Sequence, residues 1–251
     1  MLPSVRILSL RIPALSKSEA LHLLEQKASS KKLHPVYTPN PQMALRCAHS
    51  RALAEILGRA SLLLPDGTGL VMASRRLGSP LPERITGIDA GEHLLRYAAQ
   101  NGLSVALLGA RPGVAEQAVK RLKARLTNLD ICYTHHGYFE KSGQENEAVI
   151  EGLTKAAPDI LFVCFGFPQQ EKWIDRNAAK IPSLRLCMGL GGALDVWSGN
   201  TRRAPKWVQR ARCEWLWRTL RDPRRLCNFV DIPLFLLHVE KQRKNAQKKV
   251  Q

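Results

Sequence analysis

The chain lacks the signatures of several large function classes. Its six cysteines (Cys47, Cys132, Cys164, Cys187, Cys213 and Cys227) form no Cys-x-x-Cys pair, and several sit in apolar, strand-like runs. Buried reduced thiols are therefore expected rather than disulfides or a zinc site. There is no Gly-x-Gly-x-x-Gly and no P-loop Gly-Lys-Ser/Thr, which counts against a dinucleotide cofactor or ATP. No Asp-x-Asp offers the carboxylate pair that often holds a divalent ion against a nucleotide diphosphate, and no Gly-x-Ser-x-Gly marks a serine nucleophile. No metal ligands and no cofactor are assigned. No apolar run reaches the roughly 18 residues of a spanning helix; the longest candidate, 232–239, contains Pro233. Residues 1–15, broken by Arg6 and Arg11, offer no signal-peptide core. A cytoplasmic protein, at most attached peripherally to a membrane surface, is expected.

Acidic residues are also scarce, with 21 Asp and Glu against 38 Lys and Arg, a net charge of +17. Residues 202–251 hold fourteen Lys or Arg against four Asp or Glu, a net +10 in the last fifth of the chain. Trp207, Trp215 and Trp217 interleave there with arginines, and Trp207, Ala211, Trp215, Leu216 and Leu220 follow helical spacing. An apolar aromatic stripe flanked by Arg suits a helix at an anionic membrane interface. A core or oligomer-interface helix fits that pattern equally.

Short apolar runs alternate with amphipathic segments, which predicts a layered α/β domain (1–200), followed by a basic, Trp-rich C-terminal appendage with helical spacing (201–251). Strands are predicted at 35–38, 61–64, 104–108, 130–133, 160–165 and 184–188. Ser16-x-x-Glu19 and Ser142-x-x-Glu145 read as capping boxes, Pro112 as a first-turn residue, and Gly102 as the end of a helix over 90–101. Adjacent His135 and His136 read as structural or surface residues, and Asp130 precedes its strand, which puts it on the wrong rim for a ribose.

If the strands share one sheet, the loops that follow them converge on one rim, where open α/β sheets bind ligands. Leu64-Pro65-Asp66-Gly67 places one carboxylate at an abrupt strand end, as a candidate acid or base or as an ordinary Asp-Gly turn. Gly109-Ala110-Arg111-Pro112-Gly113 opens a helix and could present N–H groups to a phosphate.

Several strings stand in order from Thr38 to Arg225: Thr38-Pro39-Asn40, Pro65-Asp66-Gly67, Glu83-Arg84-Ile85-Thr86-Gly87, His136-Gly137-Tyr138, Gly166-Phe167-Pro168-Gln169-Gln170-Glu171, Gly191-Gly192-Ala193-Leu194-Asp195 and Arg203-Ala204-Pro205-Lys206-Trp207. In these the chain resembles the bacterial WecG/TagA/CpsF glycosyltransferases, glycosyltransferase family 26. The resemblance implies a Rossmann-like layered sheet with flanking helices and a C-terminal helical appendage, and a metal-independent inverting transferase at the inner face of the plasma membrane. Such an enzyme moves an N-acetylmannosamine-type sugar from a UDP-sugar donor to undecaprenyl-diphosphate-linked N-acetylglucosamine, in teichoic acid or other surface polysaccharide synthesis. It implies Asp66 as general base. Thr38, Asn40, Arg84, Gln170, Gly109 and Asp195 are implied as substrate-binding residues, and Arg218, Arg221 and Arg224 as candidates for the diphosphates. Where the family commonly carries Lys, this chain has Gln169, which removes a cation near the expected nucleotide. A nucleotide-cofactor oxidoreductase and a basic nucleic-acid-binding module are the competing readings; no nucleic-acid partner is assigned, and self-association into a dimer or trimer stays open.

Overall fold

The computed structural model describes residues 2–201, 204–205, 208 and 231–248. The predicted amphipathic helix around Trp207–Leu220 and the candidates Arg218, Arg221 and Arg224 lie outside the described residues.

Six strands form one parallel sheet in the order β4-β3-β8-β7-β5-β6. They are β3 (His34–Tyr37), β4 (Leu62–Leu63), β5 (Ser104–Gly109), β6 (Asp130–His135), β7 (Ile160–Cys164) and β8 (Leu186–Gly189). All six predicted strands are present within a few residues. Both faces of the central strands are covered, so β7 and β8 are buried at every position and read as unbroken apolar runs rather than alternating ones. The side-chain period of two sends Ala106, Leu108, Leu161 and Val163 to one face and Val105, Leu107, Ile160 and Phe162 to the other.

Helices α1 (Lys17–Ala28), α5 (Gly87–Asn101), α6 (Val114–Arg125) and α9 (Ala193–Trp197) pack on the Val105 face. The opposite face takes α2 (Pro41–His49), α3 (Arg51–Gly58), α4 (Thr68–Arg76), α7 (Gly143–Ala156) and α8 (Gln169–Asn177). A hairpin of β1 (Ser4–Ile7) and β2 (Leu10–Pro13) joins that layer. The last helix, α10 (Asp231–Gln247), belongs to it too. Phe235 and Val239 are fully buried in its core, and Gln242 bonds the hairpin through Leu8 N–H and Arg6 C=O. Pro233 falls in the first turn of α10, where no backbone donor is needed.

Helix boundaries follow local chemistry. Ser16 and Glu19 form the expected capping box, and Gly102 ends α5 in the left-handed conformation. Helix α5 starts three residues before the predicted 90–101 because the Thr86 hydroxyl accepts Asp89 N–H. Two expectations are corrected. Ser142 makes no cap bond, and the Glu145 carboxylate accepts from the Glu140 N–H at 2.7 Å instead of completing the box at Ser142 N–H. Pro112 lies before the helix, which begins at Val114 with Gly113 as its cap. Cys47, Cys132, Cys164 and Cys187 are free thiols; Cys213 and Cys227 fall outside the described residues.

Candidate functional site

At the carboxyl edge, the chain leaves β5 toward β6 on one side and leaves β7 toward β8 on the other. Adjacent strands whose loops diverge leave a crevice, the usual ligand position in such sheets. A cleft of about 1560 Å³ lies there, lined by the loops after β5, β6, β7 and β8. Four cations face it: Arg111, Lys141, Lys172 and Arg176. The acids Glu140, Glu145 and Asp195, the polar Gln169, Asn200 and Thr201, and the exposed ring of Tyr138 also line it. Lys141 Nζ donates to the carbonyls of Gly137 and Phe139 at 2.7 and 2.6 Å and lies over the Phe139 ring. That cradle fixes the loop carrying Tyr138, and burial pulls the Lys141 ammonium below the ordinary lysine range. Helices α6 and α8 both start at the cleft without side-chain caps, so their positive ends face it.

Beside the cleft, and sharing Gly192 with it, is a small pocket of about 50 Å³ that contains Thr38, Asp66 and Arg84. The abrupt end of β4 delivers Asp66. Its N–H is tied to Pro39 C=O, and Ile85 N–H bonds Pro65 C=O, so three loops meet at one carboxylate. Oδ1 accepts from Arg84 Nε at 3.3 Å and Oδ2 from Gly87 N–H, the first residue of α5, at 3.2 Å. An arginine and a helix N-terminus thus fix both carboxylate oxygens. Asp66 thus sits in the loop after β4 and is paired with Arg84.

The other expected site residues separate. Asp195 lines the cleft. Asn40 spends its side-chain oxygen capping α2 through Met43 N–H at 2.9 Å. Gly109 is required by a close approach: at φ 143, a Cβ there would lie 2.4 Å from the Cys164 carbonyl oxygen of the neighbouring strand. Ala110 N–H is bonded to that same oxygen and Val114 N–H to Arg111 C=O, so neither N–H is free for a phosphate. Gln170 is 4% exposed and lies behind the cleft wall, where its Oε1 accepts from Gly166 N–H and Gly191 N–H. Arg111, Tyr138, Lys141, Lys172 and Arg176 were not singled out from the sequence. Lys172 and Arg176 stand four residues apart and three and seven after Gln169, a one-face helical spacing that could have found them.

His135 and His136 bond locally, to a backbone carbonyl and to Tyr138 N–H. Among the described residues no group of three His, Cys, Asp or Glu could hold a metal ion, and no helix is long and apolar enough to cross a membrane. Cys164, at the cleft floor, is pushed by burial up to about 12 and so stays a thiol.

The family profile of the glycosyl transferase WecG/TagA/CpsF family matches residues 5–249. Two N-acetylglucosaminyldiphosphoundecaprenol N-acetyl-beta-D-mannosaminyltransferases of Staphylococcus aureus, from strains MRSA252 and MW2, are each 36% identical over 213 residues. Each alignment spans 85% of this chain and 82% of the relative. Neither the oxidoreductase nor the nucleic-acid reading is favoured by these matches. A sheet-edge cleft with a cationic wall and a restrained carboxylate, joined to a match over nearly the whole sequence, places this chain in the WecG/TagA/CpsF family of glycosyl transferases.

Proposed function

We propose that the protein transfers an N-acetylmannosamine-type sugar from a UDP-sugar to the N-acetylglucosamine of an undecaprenyl-diphosphate acceptor, with inversion. The observation that carries the reading is that the cleft, with Arg111, Lys172 and Arg176 placed for a nucleoside diphosphate, shares its Gly192 wall with the pocket of Asp66. The names of the relatives from Staphylococcus aureus state an N-acetyl-beta-D-mannosaminyl transfer to N-acetylglucosaminyldiphosphoundecaprenol, which supports the sugar and the acceptor. In this reading the Asp66 carboxylate takes the proton of the acceptor hydroxyl as that oxygen attacks the anomeric carbon. The bond from the anomeric carbon to the diphosphate oxygen breaks, and its electron pair leaves with UDP. Positive charge from Arg111, Lys172 and Arg176 would offset the charge on the departing diphosphate. Thr38 and Arg84 border the reacting centre, Arg84 chiefly by orienting Asp66. Asp195 contributes a hydrogen-bond acceptor to the donor. Asn40 and Gly109 act by shaping their loops, and Arg218, Arg221 and Arg224 stand as candidates for the acceptor diphosphate. Work on a lipid-linked acceptor calls for attachment to an anionic membrane surface, which the positive charge of the last fifth of the chain supports.

The test incubates the full chain with UDP-N-acetylmannosamine and a short-chain prenyl-diphosphate N-acetylglucosamine, following UDP release and product. Asp66→Asn is expected to lower kcat by about 10²–10⁴ while the thermal midpoint holds. Undiminished turnover in that variant would remove Asp66 as base. Turnover by the wild type with a different UDP-sugar alone would change the donor and leave the base standing.

A further inference from the structure

We propose that Glu171 is a positioning residue for the donor side of the cleft, acting by holding the Gln170 carboxamide that clamps the loops after β7 and β8. This rests on the reading that the donor occupies the cleft. Glu171 is fully buried in the first turn of α8. Its Oε1 accepts from Gln170 Nε2 at 2.9 Å. The same carboxamide uses its oxygen twice, for Gly191 N–H at 2.8 Å and Gly166 N–H at 3.2 Å. Both glycines line the cleft, one after β8 and one after β7, so a single side chain sets the gap between two of its walls.

The remaining carboxylate oxygen, Oε2, is buried with no hydrogen-bond partner among the described residues. A buried unpaired charged oxygen is costly, and packing alone would be served better by an apolar side chain of the same length. What the carboxylate supplies is an acceptor for a buried N–H₂ that would otherwise be orphaned. Without that acceptor the carboxamide would have to turn toward the wet cleft for a partner and release the two glycines. Strand β8 is shaped to receive this group: a Cβ on Gly189 would meet Gln170 Nε2 at 2.9 Å. Helix α8 supplies its positive end to the acid.

The deciding measurement is backbone amide exchange at Gly166 and Gly191 in the full chain, with KM for UDP-N-acetylmannosamine alongside. In Glu171→Met, which keeps length and removes the acceptor, exchange at both glycines is expected to rise about tenfold, the loss of roughly one hydrogen bond. KM should rise by about the same factor with kcat changed far less, and the thermal midpoint should not fall, a split that a purely structural role would not give. Glu171→Gln, which keeps an acceptor oxygen in place, should restore exchange to near the wild-type rate. Unchanged exchange at both glycines in Glu171→Met overturns the proposal, as does an unchanged KM in an active enzyme. Should the methionine variant fail to fold, Glu171→Leu, which also removes the acceptor, carries the same test: acceleration at both glycines supports the clamp, and unchanged exchange overturns it. A wild type that does not turn over this donor refutes the donor reading alone, because the exchange rates do not depend on it.

Discussion

At the scale of single residues, the site consists of polar groups fixed by partners far away in sequence. Asp66 is legible in the chain because Pro65 and Gly67 isolate it at a strand end. Its Arg84 partner could be named but not paired, since spacing along a chain does not reveal which loops touch. Gln170 was expected on the cleft surface, whereas its buried clamp depends on backbone N–H groups from two other loops. Neighbouring Glu171 carries a consequence for pH. Burial pushes its carboxyl up to about 7, against opposing hydrogen bonds from Gln170 and its own N–H. The folded state therefore holds the proton longer than the unfolded chain. No penalty exists below the ordinary carboxylate range, stability falls as pH rises through it, and the full cost is reached above about 7. Tyr37 and Cys47, the ionisable groups that sense Glu171 from β3 and α2, are both shifted upward by burial and stay neutral throughout. Subtracting the unfolding free energy of the wild type from that of Glu171→Gln should give a difference that grows by about 3 kcal/mol between pH 4.5 and 8. Urea titrations across that range measure it, and a flat difference would mean that the carboxyl titrates normally.

At the scale of elements, local signals succeeded where one residue decides and failed where two compete. Gly102 ends α5 because only its own left-handed conformation is at issue. At Ser142 two N–H donors compete for the Glu145 carboxylate, and Glu140 N–H takes it, so the reciprocal half of the box is not made. The β1–β2 hairpin was missed: four-residue strands with arginine on the outward face give too short an alternation to stand out. Helix α10 was obscured for a different reason, since its basic residues and proline mask two apolar positions that matter more. Phe235 and Val239 are completely buried against α2 and α4, so this helix is part of the body and not merely a charged extension. Phe235→Ala should lower the unfolding free energy by about 3–5 kcal/mol, the cost of emptying an aromatic core site. Equilibrium unfolding in urea tests this. A loss below about 1 kcal/mol would show that α10 contributes little to the fold.

At the scale of the molecule, alternation of strands and helices made the layered sheet legible, but not the order β4-β3-β8-β7-β5-β6. That order sets which loops face each other, so the cleft wall of Arg111, Lys172 and Arg176 emerged only once β5 and β7 were neighbours. Charge is arranged unevenly on the same scale. The exposed residues Lys241, Arg243, Lys244 and Lys248 all lie in or beyond the second half of α10, within the segment that carries +10 of the chain's +17. If that charge meets anionic headgroups, each cation near the surface contributes about 1 kcal/mol. Replacing Lys241, Lys244 and Lys248 by alanine should therefore weaken binding to phosphatidylglycerol-containing vesicles by roughly 100-fold at low salt. Wild-type binding should itself drop steeply toward 1 M salt, where the screening length shrinks to about 3 Å. Turnover of a short-chain, water-soluble acceptor should be unaffected in the triple variant, because these lysines line neither the cleft nor the Asp66 pocket. Vesicle co-sedimentation at two salt concentrations, run beside that solution assay, separates attachment from catalysis. Salt-insensitive binding that survives the three substitutions would shift the attachment from charge to apolar insertion.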